Sequence, residues 1–277
     1  MQKIFERKLN NGMMLEIVRI ISPDECRGKL QPDWVLSFFQ HNLPKCWQLY
    51  YEDIFAGKVQ GVRDYMYAGL ADGVPCSRMW FGYSERNGSG NFGNVETLPE
   101  YRRRGIMRDL LNQCVSDIRK SGAVFCSCDA APTAAPAYAS AGFQRIFPEG
   151  QPPMVFVQPR AGAFSDIVKK AYSSTGNAKI RQGTLSDRFD CDKLLMYAPE
   201  VYGKVIPRKD IPMYLSLWQE YVCTGKTRVA VLETETGFCS GYAAWIDGEP
   251  YCILHPHFVA YKNDLTETAR TIFSSEK

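Results

Sequence analysis

Arg102-Arg103-Arg104-Gly105-Ile106-Met107 sets three guanidinium groups and a glycine just ahead of a helical apolar repeat. In the repeat, Ile106, Leu110, Cys114 and Ile118 recur every four positions, with Met107, Leu111 and Val115 beside them. A helix starting there leaves the backbone N–H groups of Arg103 to Met107 without intrahelical acceptors. Free donors, the positive end of the helix dipole and three cations make an anion site whose size suits a diphosphate. Upstream, Val95 and Thr97 favour a strand, and Pro99 stops both strand pairing and an early helix. Downstream, Arg119 and Lys120 precede Gly122, the pattern of a cationic last turn and a left-handed cap. The predicted unit is strand, basic turn, helix.

A second segment, Ala134-Ala135-Pro136-Ala137-Tyr138-Ala139-Ser140-Ala141-Gly142-Phe143, follows the strand-like run Val124 to Cys128. Arg102-x-x-Gly105-x-Met107 resembles the Q/R-x-x-G-x-G/A pyrophosphate loop of the GNAT (Gcn5-related) N-acetyltransferase superfamily. The second segment resembles that family's A-x-x-L-Y-x-x-x-G-F stretch. Three departures stand out: Met107 replaces a small residue, Ala131 stands where an asparagine is frequent, and Pro136 is expected to interrupt the short helix.

The resemblance covers about residues 14 to 158 and implies an α/β (α+β) GNAT fold. That fold has a mixed, mostly antiparallel central sheet flanked by helices, with its fourth and fifth strands splayed. It implies acetyl-CoA as cosubstrate, held by Arg102, Arg103, Arg104, Gly105, Ile106 and Met107 and by the backbone of Val95, Thr97 and Leu98. It also implies Tyr138 as the acid that protonates the departing CoA thiolate. A phenol with a pKa of about 10 can serve a thiolate whose thiol has a pKa near about 8.5, if positioned for it. The acceptor is an amine with a pKa of about 10.4, so a base is needed, and Glu96 in the same strand is the nominal one. Glu52, Asp53 and Asp72 are alternatives without motif support. Trp34, Trp47, Tyr50, Tyr51 and Trp80 either wall an acceptor pocket or pack the core.

The 277 residues suffice for one large or two small domains, and 45% hydrophobic with 23% charged residues describes a globular chain. A net charge of +3 is too mild for a nucleic-acid partner, which demands a concentrated basic face. No run of 18 apolar residues exists, so no membrane span is expected. Met1 to Arg7 lacks the apolar core of a signal peptide. Ten cysteines in apolar patterns then point to reduced, buried thiols in a cytoplasmic protein. No metal is expected. There is no C-x-x-C pair, and Cys252, His255 and His257 lack a fourth ligand. Gly225-Lys226-Thr227 is no P-loop, because Glu220 stands where its first glycine would be.

Along the chain, Met14 to Ile20 reads as a first strand, and Ser22-Pro23-Asp24-Glu25 as the start of a helical region. Tyr65 to Leu70 and Met79 to Tyr83 form a hairpin about Asp72-Gly73. Asn87-Gly88-Ser89-Gly90 turns into the strand at Phe92 to Thr97. Pro148 to Pro153 makes a rigid loop before a closing strand at Met154 to Val157. Residues 1–160 are thus read as the acetyl-CoA-binding catalytic domain, with Pro159 to Ala163 as linker.

Residues 161–277 are read as a smaller, degenerate GNAT-like repeat, with an unrelated α/β domain as the alternative. Its expected strands are Ala178 to Gln182, Thr227 to Leu232, Phe238 to Ile246 and Tyr251 to Val259. Helices are expected through Leu194 to Met196, Tyr214 to Tyr221 and Leu265 to Phe273. In place of the anion loop it has Ala260 to Asp264, so no CoA is expected there. The resulting reading is an N-acetyltransferase for a small-molecule or peptide amine. The alternative is a non-catalytic acyl-CoA-binding module whose second half is a platform for a homodimer or another partner.

Overall fold

The computed structural model describes residues 1–146, 153–172, 177–191, 229–246 and 249–274. The readings made for Pro148 to Pro152, Leu194 to Met196, Tyr214 to Tyr221 and Gly225 to Thr227 lie outside the described residues. The chain divides into two compact units, Met1–Leu43 with Tyr51–Ala161, and Pro44–Tyr50 with Gly162–Lys277.

The first unit is built on an eight-stranded sheet: β1 (Gln2–Lys8), β2 (Met14–Ser22), β3 (Val62–Ala71), β4 (Val74–Ser84), β5 (Ser89–Thr97), β6 (Phe125–Asp129), β7 (Gln144–Arg145) and β8 (Pro153–Val157). The spatial order is β1-β2-β3-β4-β5-β6-β8-β7. Every pairing is antiparallel except β5 with β6. That single parallel pair needs a crossover, and helix α3 (Ile106–Lys120) supplies it. The fold is therefore the mixed, mostly antiparallel sheet expected.

Local chemistry explains most of these elements. The β3–β4 hairpin closes on Asp72 and Gly73, both at positive φ (47° and 80°), as a two-residue turn matched to strand twist requires. In α3, Ile106, Leu110, Leu111, Cys114, Val115 and Ile118 are buried, and the helix packs on β3 and β4. Asp117 on the same helix is drawn inward, accepting from Tyr67 Oη (2.7 Å) and both-handed from Arg19 Nη1 (2.9 Å to each oxygen). Two helices, α1 (Asp33–Gln40) and α2 (Lys45–Phe55), occupy the aromatic-rich stretch, with Val35 and Phe39 of α1 buried.

Four local readings are corrected. The stretch after Ser22 is a series of turns, and the helix begins only at Asp33. An unpredicted strand, β1, precedes Met14; its alternation of charged and apolar residues is weak, and pairing with β2 holds it. Gly122 is not a left-handed cap: Ser121 ends α3 in extended conformation. A Cβ on Gly122 would sit 3.2 Å from the Tyr83 ring, so a larger residue there would have to push the ring aside by a few tenths of an ångström. Pro136 does not interrupt α4 (Ala135–Ser140) but lies in its first turn, where its missing N–H costs nothing.

The second unit carries a four-stranded antiparallel sheet of order β12-β11-β10-β9, formed by β9 (Lys179–Gln182), β10 (Val229–Glu233), β11 (Cys239–Ile246) and β12 (Glu249–Leu254). Helix α6 (Lys262–Ser274) packs on it, burying Leu265 and Ala269 against Ala230, Leu232, Ala243 and Phe258. Thr184 and Asp187 form a reciprocal capping box, and Arg181 bridges Asp187 and Glu233. Directly after the expected linker, where no element was predicted, Phe164–Tyr172 forms helix α5, its apolar stripe too short to stand out in sequence. The last strand stops at Leu254, and Pro256–Tyr261 is a 3-10 turn. His255 is a structural residue: it is buried, stacked on Tyr172, and its Nδ1 accepts the His257 N–H. Burial, aided by the neighbouring His257 charge, pulls its pKa down to about 4. Among the described residues no helix is long and apolar enough to cross a membrane.

Candidate functional site

The site begins with a defect in the sheet. Between Arg78↔Glu96 and Trp80↔Gly93 the single residue Met79 opposes two, Asn94 and Val95, which is a β-bulge in β5. Asn94 takes φ +52° there, and its Nδ2 donates to Tyr51 Oη at 3.0 Å. A bulge bends its strand, and β5 duly leaves β6. The two pair only from Ser89↔Phe125 to Asn91↔Ser127, while β6 continues alongside β8 to Asp129↔Pro153. The expected splay is therefore present, and the gap it leaves is a cavity of about 630 Å³.

One wall of the cavity is β5, from Phe92 to Thr97. The other is Cys128, Asp129, Ala131, Thr133, Ala134 and Tyr138, with Arg102 and Met107, Arg78, and Asn42 and Leu43 completing the lining. Of the residues named from sequence, Val95, Glu96, Thr97, Arg102, Met107 and Tyr138 meet here. Leu98, Arg103, Arg104, Gly105 and Ile106 do not: Leu98 gives its N–H to Cys76 O at 2.9 Å, and Ile106 is buried in the core. The aromatic residues Trp34, Trp47, Tyr50, Tyr51 and Trp80 do not line the cavity either. Trp80, for example, is buried with its Nε1 on Asp64 (2.8 Å). The alternative carboxylates are committed elsewhere: Asp72 to the Met14 N–H, Glu52 to Gln40, Asp53 to Lys58.

The basic loop has the predicted form. Gly105 caps α3 with φ +78°, and Arg103 also stands at positive φ, so the chain doubles back before the helix. Among the described residues no acceptor meets the N–H groups of Arg103, Arg104, Gly105, Ile106 or Met107. Arg102 and Arg103 are exposed, while Arg104 lies over the Tyr101 ring and donates to Glu100 O. Arg102 Nε also holds Thr97 O (2.8 Å), tying the loop to the end of β5. Met107 is half-buried and divides itself between the core and the cavity.

One cation escaped the sequence reading. Arg7 reaches from β1 to donate to Arg104 O (2.9 Å) and to Asp109 (2.7 Å), so it sets the loop's shape and offsets the acidic residue in the helix's first turn. No local pattern signals it, because its partners lie about a hundred residues away.

Tyr138 enters from α4, with its ring edge-on to Phe92 (5.2 Å between centroids) and tilted on Phe143. Its hydroxyl has no hydrogen-bond partner among the described residues. Burial pushes the phenol pKa well above its usual value, with the Cys128 and Cys114 thiols adding in the same direction. Across the cavity, Glu96 forms an ion pair with Arg78 Nη2 (2.8 Å) and meets His41 Nδ1 (3.3 Å) and Asn42 Nδ2 (3.4 Å). Arg78 was also missed. Its side chain is 2% exposed and donates to Phe38 O and His41 O, the last carbonyls of α1. Burial lowers the Arg78 pKa and the Glu96 charge opposes that shift.

Residues 79–155 match the family model described as "Acetyltransferase (GNAT) domain", a span holding the bulge, the loop, Glu96 and Tyr138. The match supports acyl transfer as the chemistry of the first unit. No curated protein sequence matches the chain. Solved structures with similarity include the GNAT domain of PAT from S. lividans, at 14% identity and a TM-score of 0.38 over 55% of this chain and 96% of that one. YhbS from Escherichia coli, solved with CoA, gives 12% and 0.35 over 50% and 81%. Nourseothricin acetyltransferase gives 22% and 0.29 over 36% and 67%. Likeness at this level carries no residue roles from those proteins to this chain.

Proposed function

We propose that a chain with a GNAT acetyltransferase match over residues 79–155 moves an acetyl group from acetyl-CoA to an amine of a small molecule or peptide. The observation that carries this is the junction of two features: a basic loop of five unpartnered N–H groups opens onto the gap between β5 and β6, and Tyr138 stands in that gap.

These groups fit a CoA thioester. The diphosphate sits against the N–H groups of Arg103 to Met107, with Arg102, Arg103 and Arg104 around it. The extended arm lies along the open edge of β5 at Val95 and Thr97. A backbone N–H at the bulge polarises the thioester carbonyl, an interaction worth about 2.7–4 kcal/mol where measured in other oxyanion sites. Holding amine and thioester together supplies much of the remaining acceleration. The amine's proton leaves toward the side of the cavity where Glu96 meets His41, and the departing sulfur takes a proton from Tyr138.

Tyr138's raised pKa weakens it as a donor in water, but a thiolate in the same apolar setting is also a stronger base, so the two shifts oppose each other. Met107, in place of a small residue, is the observation that favours the second reading, an acyl-CoA-binding module without turnover. The C-terminal unit is proposed as a degenerate repeat that binds no CoA and serves as a platform for a second copy or another partner. A cytoplasmic setting is proposed from the cysteines, of which the described ones hold no disulfide.

Calorimetric titration with acetyl-CoA, with free CoA for comparison, tests the proposal. One micromolar site per chain, followed by thiol release with amines, supports it. Two sites overturn the degenerate repeat. Binding without turnover of any amine selects the second reading, and no binding up to millimolar removes both CoA readings.

A further inference from the structure

We propose that His41 is the immediate proton acceptor for the amine, with Glu96 and Arg78 as the residues that position it; this rests on the acyl-transfer reading of the site. Glu96 is ion-paired with Arg78, so its oxygens can only accept hydrogen bonds. The contact between Glu96 Oε2 and His41 Nδ1, at 3.3 Å, therefore requires the hydrogen on Nδ1. In a neutral imidazole that leaves Nε2 as a lone pair, which is the state a general base needs. Glu96 itself is already surrounded by donors: Arg78 and His41 on Oε2, and Asn42 on Oε1. A carboxylate so engaged orients a base better than it acts as one.

The histidine is fixed at both ends. Its carbonyl receives Arg78 Nη2 at 2.5 Å, so one guanidinium holds the His41 backbone and the carboxylate that holds its ring. The side chain stays 47% exposed, so water reaches the ring; His41 does not itself line the cavity but is joined to it through Glu96 and its chain neighbours Asn42 and Leu43, which do. The step balances as follows. The ammonium gives one proton to Nε2 of His41, which passes it to water. The free amine attacks the thioester carbon, the C–N bond forms, and collapse breaks the C–S bond. Sulfur takes the Tyr138 proton, and the second nitrogen proton returns to the tyrosinate oxygen. The products are amide, thiol and one proton in solution.

The chain has only three histidines, so His41 can be followed by long-range ¹H–¹⁵N NMR of the full-length protein. Neutral His41 is expected as the Nδ1–H tautomer, with that preference lost in Glu96→Ala; an Nε2–H tautomer in the wild type overturns the proposal. Thiol release from acetyl-CoA with n-butylamine, phenethylamine and a tripeptide provides the second arm. His41→Gln should lower kcat by about a hundredfold while leaving acetyl-CoA affinity unchanged by calorimetry. His41→Ala should regain activity with added imidazole, which a merely structural role would not allow. Normal turnover by His41→Gln overturns this assignment and leaves acyl transfer standing. A wild type that binds acetyl-CoA but acetylates none of the amines overturns both.

Discussion

Arg78→Leu is the sharpest test of how the site is held. The substitution removes two donors from carbonyls at the end of α1, each worth roughly 1 kcal/mol. It also strips the guanidinium from Glu96, whose side chain is only 19% exposed. Breaking one side of such a pair costs about 3–5 kcal/mol, and this dominates because the helix end can still turn its carbonyls to water. In a chain of this size that is a fall in Tm of roughly 10 °C for the first unit. Thermal and urea unfolding followed by circular dichroism measure it, with Arg78→Leu/Glu96→Leu as control. The double variant should be less damaged than the single one, since no buried charge is left alone. A loss below about 1 kcal/mol in Arg78→Leu, or full additivity in the double variant, would show that the pair does not organise the site.

Other expectations follow from the same geometry. Gly105→Glu forces a Cβ into a left-handed position 3.1 Å from Arg7 Nη2 and sets a carboxylate where phosphate belongs, so acetyl-CoA binding should vanish in calorimetry; normal binding means the loop is misplaced. Tyr138→Phe keeps the ring packing on Phe92 and Phe143 and should lower turnover by about tens-fold with CoA affinity nearly intact; unchanged turnover removes Tyr138 from the chemistry. The second unit should weaken in acid. His255 is held neutral in the fold, with a pKa of about 4 against about 6.5 unfolded, so its contribution is complete above pH 6.5 and is lost as pH falls toward 4, by up to about 3 kcal/mol. Urea midpoints across that range should flatten in His255→Asn, which keeps an acceptor for the His257 N–H; an unchanged slope assigns the acid loss to another group.

What could be read from sequence was local. The Asp72-Gly73 turn, the stripe of α3 and the Arg102 to Met107 loop depend on neighbours within a few positions, and each stands where its residues placed it. The bulge at Asn94 did not show, because Asn-Val inside the strand Ser89–Thr97 gives no local sign that two residues will face one. Arg78 was silent for a related reason: its partners in α1 and at its C-cap lie 40 and 37 positions away, and an arginine in a strand ordinarily signals an outward face. Strand order was hidden too, since β8 enters between β6 and β7 by long-range pairing alone. Gly122 misled because a glycine after a cationic turn fits a cap as readily as it fits a crowded ring.

The short seam between β5 and β6 turns the cavity into a lever. Five strands lie on one side and three on the other, and within the sheet they pair through three rungs, Ser89 to Asn91. The opening at Thr97 and Asp129 is thus hinged at the far end, on residues that do not line the cavity. Gly90 stands at that fulcrum: a Cβ there would meet Gly82 O at 2.8 Å and Cys126 Sγ at 2.9 Å. Any side chain at Gly90 pries the seam, and the displacement grows along the strands until it reaches the mouth. The width of the cavity is therefore expected to respond to a residue that does not line it.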